Sequence, residues 1–131
     1  MKKKRLIIDA SCIIAILKQE PLARDVLMKT AGYELSSAAC LPFEIGNALS
    51  KLVKRNLLKT DEALNCFELF QKIPLSLLDV DFENALHLAG EESHYCYDMY
   101  YLDCALRTGN PLLTYDEDLI AIAKRRGVTC L

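Results

Sequence analysis

The chain has 131 residues, with 16 Lys and Arg against 18 Asp and Glu for a formal charge of −2, and 52% apolar residues beside only five Gly and four Pro. That length suits one domain spanning residues 1–131, able to bury roughly two-thirds of the surface its unfolded chain exposes. The composition excludes a low-complexity, linker or repeat protein, and the longest uncharged apolar runs, such as Ala10 to Leu17, fall well short of the ~20 residues a bilayer span needs.

In chain order, "RLII" (Arg5 to Ile8) is too short for a helix and rich enough in apolar and β-branched residues for a buried strand. The basic start, Lys2 to Arg5, has no cleavage site after it, and Asp9 interrupts the apolar run, so a cytoplasmic rather than exported protein is expected. Apolar residues at 10, 13, 14 and 17 then mark a helix face. Pro21 permits a fresh start for Leu22 to Ala31, with Gly32 as its stop. "YELSSAA" (Tyr33 to Ala39) predicts a second strand, and Pro42 suits the first turn of a helix over Leu41 to Arg55. Thr60 is the expected cap of a helix reaching about Lys72. "LSLLDV" (Leu75 to Val80) predicts a third strand, followed by a helix from about Asp81 to Ser93 and another opened by Asp98 and ended by Gly109-Asn110-Pro111. "LLT" predicts a fourth strand, Asp116 to Arg126 a last helix, and "VTCL" a fifth strand. Strands separated by helices need crossover connections, so the expected class is α/β, with a mostly parallel sheet of about five strands.

Six cysteines, at 12, 40, 66, 96, 104 and 130, sit singly in apolar segments without a C-x-x-C pair. They read as buried free thiols in a reducing compartment, not as a disulfide framework. His94, Cys96 and Cys104 lack the short paired spacing of a zinc site.

Ligands of parallel sheets bind beyond the carboxyl ends of the strands, which gives meaning to four acids. Asp9 ends the first strand and Asp116 follows the fourth, although each also reads as a helix N-cap. Glu44 lies on the border of its helix's apolar stripe, where a carboxylate needs a partner such as Lys51 or Arg55, or a cation. Asp98, as cap or as ligand, belongs to a helix whose inner side is Tyr101, Leu102 and Ala105. Asp103 falls elsewhere on that helix and reads as solvated or paired. Carboxylates that converge without basic partners are relieved by a hard divalent cation, Mg²⁺ or Mn²⁺. Such a site orients and ionises a water and stabilises charge on a phosphodiester.

The blocks "LIIDASCIIAIL", "LPFEIGNAL", "YDMYYLDCAL" and "LLTYDEDL" together resemble the PIN-domain family, and within it the small toxin ribonucleases of the VapC type. The resemblance implies a three-layer α/β/α fold and places the acidic, metal-binding and catalytic positions on Asp9, Glu44, Asp98 and Asp116. It gives supporting roles to Ser11, Asn47 and Thr114, and it implies Mg²⁺ or Mn²⁺ dependence, RNA cleavage, homodimerisation and neutralisation by a small antitoxin. Asp103 departs from the small or apolar residue more usual there. With the four acids set aside, the charge of −2 becomes +2, and Lys51, Lys54 and Arg55 are candidate RNA phosphate contacts. The alternatives are a housekeeping PIN nuclease of RNA maturation and a non-catalytic PIN-like binding module. The isolated glycines offer no phosphate-cradling loop for a nucleotide cofactor.

Overall fold

Leu6, Ile7 and Ile8 alternate up and down along a strand, yet all three are at most 1% exposed, so this strand is covered on both faces. In the computed structural model, which describes residues 3–131, it is β1 (Lys4–Ile8), an inner strand of a four-stranded sheet ordered β3-β2-β1-β4. Its partners are β2 (Tyr33–Ala38), which carries β3 (Leu75–Leu78) on its far side, and β4 (Leu112–Leu113); all pairings are parallel. The expected fifth strand is not formed. The C-terminal segment gives only one bridge, Cys130 to Leu112, because Gly127 (φ 78°) turns the chain back with four residues left.

The helices are α1 (Ala10–Leu17), α2 (Leu22–Thr30), α3 (Leu41–Lys54), α4 (Thr60–Gln71), α5 (Phe82–Glu92), α6 (Cys96–Thr108) and α7 (Glu117–Arg125). They flank the sheet, with α6 against β1, β2 and β4, and α1 against α2 and α3. Buried Met99, Tyr101, Leu102 and Ala105 explain why α6 takes the central place. Two expected boundaries shift. Lys59, not Thr60, holds the cap position of α4, where its N–H donates to Glu62 Oε1 at 3.0 Å. Asp98 does not open α6, which begins two residues earlier at Cys96 with Tyr95 as its N-cap. Gly109 ends α6 at φ 68°, a left-handed conformation glycine adopts without a Cβ clash.

The strand order reverses beside β1: the chain moves outward through β2 and β3, then returns to place β4 on the other side. The crevice between the carboxyl ends of β1 and β4 is therefore the place where such a sheet accepts a ligand. Buried Ser37 on β2 adds a cross-strand tie, its hydroxyl donating to the Ile8 carbonyl. No helix of the described residues is long and apolar enough to cross a membrane. Met1 and Lys2 lie outside the described residues, and the rest of the basic start is exposed.

Leu102 is fully buried on the sheet-facing side of α6. Leu102→Ala should lower stability by roughly 2–5 kcal/mol, measured as a lower urea midpoint with an unchanged transition slope.

Candidate active site

Asp9 follows the last residue of β1 and is 4% exposed. Its Oδ1 accepts the Ser11 N–H at 3.1 Å, which caps α1, and the Ser11 hydroxyl at 2.5 Å. Its Oδ2 accepts the Thr114 hydroxyl at 2.5 Å, and the Cys12 thiol lies 3.7 Å from Oδ1. These donors do further service: Ser11 Oγ accepts the Tyr115 N–H and Thr114 Oγ1 accepts the Asp116 N–H, both at 3.1 Å. The ends of β1 and β4 are thus tied through one buried carboxylate. Asp9, the candidate site residue, caps α1, and Ser11 and Thr114 hold it directly.

Glu44 lies in the first turn of α3, half-buried. Its expected partner, Lys51 or Arg55, is not there. Glu44 Oε1 instead accepts the buried Tyr101 hydroxyl of α6 at 2.6 Å, with the Cys40 thiol at 3.8 Å. Asp98, also half-buried, sits in the first turn of α6, and its Oδ2 shares a 2.6 Å hydrogen bond with His94 Nε2. Asp116 is exposed and caps α7 by accepting the Leu119 N–H at 3.0 Å. Tyr101 and His94 escaped sequence reasoning in these roles. Tyr101 looked like core because its ring is core, and only its hydroxyl reaches the site. His94 lies outside the helical periodicity, although its i,i+4 spacing to Asp98 was a usable signal.

The other candidates divide. Asn47 lines a cleft with Phe43, Glu44, Lys51 and Tyr97, but among the described residues its side chain makes no hydrogen bond to Glu44. Lys51, Lys54 and Arg55 are exposed, with no ion pair among the described residues. Lys51 flanks Glu44 in that cleft. Arg125 and Arg126, by contrast, are engaged by Glu91 and Glu92 of α5 at 2.6–2.9 Å. Asp103 is buried and paired with Arg107 Nε at 2.6 Å, while Arg107 Nη2 donates to the Asp79 carbonyl. It therefore ties α6 to the segment after β3. All six cysteines are free.

The described chain has clear relatives. The family model described as PIN domain matches residues 6–125. The protein named Ribonuclease VapC3 from Pyrobaculum aerophilum is 29% identical over 120 residues, covering 88% of this chain and 92% of that protein. The crystal structure of PAE2754 from Pyrobaculum aerophilum superposes with a TM-score of 0.76 at 23% identity, over 97% of this chain and 83% of that one. That of VapBC2 from Rickettsia felis, bound to a DNA fragment from their promoter, gives 0.67 at 11% identity, over 97% of each chain.

Burial holds the carboxyls of Asp9, Glu44 and Asp98 above the ordinary range, and the acids push one another further: Asp98 on Asp9, Asp9 and Asp98 on Glu44, and Asp116 on Asp98. Hydrogen bonds from Ser11, Thr114, Tyr101 and His94 pull the other way without cancelling this. Asp118, read from sequence as a mere first-turn acid, adds to the field on Asp98. Among the described residues no Lys or Arg pairs with these carboxylates. An all-oxygen set carrying uncompensated charge fits Mg²⁺ or Mn²⁺. Among the described residues no three His, Cys, Asp or Glu side chains close into a cage, which accords with ions that use one or two carboxylates and retain waters.

A carboxyl whose pKa is raised by folding binds its proton more tightly in the folded state. Its contribution to stability is present below the ordinary carboxylate range and is lost as pH rises through the raised value. Asp25 and Glu92, held low by Tyr115 and by Arg125, act in the opposite sense but below that range. The metal-free protein should therefore melt higher near about pH 5 than near about pH 7.5. Added Mg²⁺ or Mn²⁺ should raise the melting temperature more at the higher pH, because the cation competes with protons for the same oxygens. Melting temperatures indifferent to both pH and divalent ions would remove the cation from this site.

Proposed function

The chain belongs to the PIN-domain family, and on that premise we propose that it is a metal-dependent endoribonuclease, the toxin of a toxin–antitoxin pair. One observation carries the reading: Asp9, Glu44 and Asp98 are held together at the switch point of the sheet with no Lys or Arg paired to them among the described residues. Burying carboxylates costs stability, and a scaffold gains nothing from their repulsion. The relative named a ribonuclease supports RNA as substrate. The VapBC2 assembly supports a small protein partner, and the resemblance carried by the four sequence blocks supports a homodimer.

Asp9, Glu44 and Asp98 would hold Mg²⁺ or Mn²⁺ between them, one or two directly and the rest through water, with Asp116 at the rim. When bound, the cation supplies positive charge to a phosphodiester and lowers the pKa of a nearby water. The chain's own residues prepare for this. Ser11 and Thr114 clamp both oxygens of Asp9, so its carboxylate cannot rotate. Tyr101 occupies Glu44 Oε1 and leaves Oε2 without a protein donor. Lys51 stands beside Glu44 to meet a backbone phosphate, and Lys54 and Arg55 extend that positive surface along α3.

Asp9→Asn and Asp98→Asn should each reduce cleavage of a generic single-stranded RNA by on the order of 100-fold or more, the scale for losing one charge-stabilising group. Their melting temperatures should hold or rise. EDTA should abolish cleavage while leaving circular dichroism unchanged. Expression alone should arrest growth and degrade RNA, and co-expression with the adjacent small protein should restore both. Full cleavage by Asp98→Asn overturns the reading.

Tyr101→Phe keeps the ring in the core and removes only the hydroxyl that holds Glu44. It should lower cleavage with little change in stability, measured as a reduced turnover beside an unaltered melt.

A further inference from the structure

We propose that His94 is the positioning residue of the acidic site, fixing Asp98 so that one carboxylate oxygen is committed and the other is left for the cation; this rests on the reading of Asp98 as a metal ligand. As a metal ligand Asp98 is ionised and has no proton to give, which makes His94 Nε2 the donor in the 2.6 Å contact to Oδ2. Among the described residues Oδ1 has no hydrogen-bond partner, which makes it the oxygen free to ligate.

The placement of His94 is set by the chain around it. Ser93 adopts a left-handed conformation (φ 50°) at the end of α5, and the His94 N–H donates to the Ala89 carbonyl at 3.0 Å. The turn directs the imidazole back against the first turn of α6, where the Tyr95 ring meets it edge-on at 5.8 Å. The His94 side chain is only 15% exposed, so it is held by its surroundings and does not range over the surface. A non-glycine residue in the left-handed region persists only where neighbouring contacts over-determine it.

The same pattern recurs at each acid. Thr114 and Ser11 hold Asp9, Tyr101 holds Glu44, and His94 holds Asp98. His94 differs in being the only side-chain nitrogen donor among them. It is also the sole hydrogen-bond partner of the Asp98 side chain among the described residues. Groups that hydrogen-bond to a ligating carboxylate orient it and raise metal affinity, and their loss typically costs 10–100-fold.

The experiment titrates Mn²⁺ alone into the full-length protein by calorimetry, comparing the parent with His94→Ala, His94→Gln, His94→Asn, Asp98→Asn and the His94→Ala/Asp98→Asn double variant. Gln extends an amide N–H to the reach of Nε2, whereas Asn falls short, so Gln should bind Mn²⁺ within about 3-fold of the parent while Ala and Asn lose roughly 10-fold or more. The double variant should bind no worse than Asp98→Asn, because His94 acts through Asp98. Should His94→Ala fail to fold, the contrast of Gln with Asn carries the same comparison. Parent-like affinity in His94→Ala or His94→Asn overturns the role of His94 while leaving the acidic site standing. So does a His94→Gln as weak as His94→Asn, which would make the imidazole itself a ligand, or a double variant weaker than Asp98→Asn alone. A parent that binds no Mn²⁺, or an Asp98→Asn that binds it undiminished, overturns the metal reading itself and this inference with it.

Discussion

The fold around the site depends on one buried carboxylate. Asp9 terminates β1, starts α1 and receives hydrogen bonds from Ser11 and Thr114, whose hydroxyls in turn accept the backbone N–H groups of Tyr115 and Asp116. The register of the β1 and β4 ends, the path of the loop into α7 and the position of the Asp116 cap all pass through this network. Hydroxyl donors satisfy the carboxylate's oxygens without neutralising its charge. An Arg in their place would satisfy both and leave no affinity for a cation.

The remaining acids are held on the same principle by different elements. Glu44 comes from α3 and is fixed by a tyrosine of α6, so the interface of those two helices sets where its carboxylate stands. Asp98 comes from α6 and is fixed from the turn that precedes it. Three arginines follow an opposite rule. Arg107 is spent on Asp103 and the end of β3, and Arg125 and Arg126 join α7 to α5. Arginine ion pairs are thus used to dock helices, and among the described residues no Lys or Arg pairs with the acids at the switch point of the sheet.

Much of this was legible in the chain. Short apolar runs located β1 to β4, and 3.6-residue periods with their caps and breakers located all seven helices. The fifth strand was misread: "VTCL" has strand-like composition, but a segment of four residues after a glycine turn reaches its neighbour for one bridge only. Asp98 was read as opening its helix, yet Tyr95 takes that position, since acids are equally favoured inside the first turn. Asp103 was left between solvent and partner, and burial beside Arg107 decided it.

The sequence by itself determined the α/β class, the order of elements and the placement of Asp9, Glu44, Asp98 and Asp116 at strand ends and helix starts, because these follow from local periodicity and from ordered motifs. The resemblance already gave supporting roles to Ser11 and Thr114, but the tertiary structure decided that Thr114 binds Asp9 itself and that Tyr101, not Asn47, holds Glu44. Thr114 reaches Asp9 across 105 positions of sequence and Tyr101 reaches Glu44 across 57. Contacts of that range depend on how β4 and α6 dock against β1 and α3, and no local pattern records the docking.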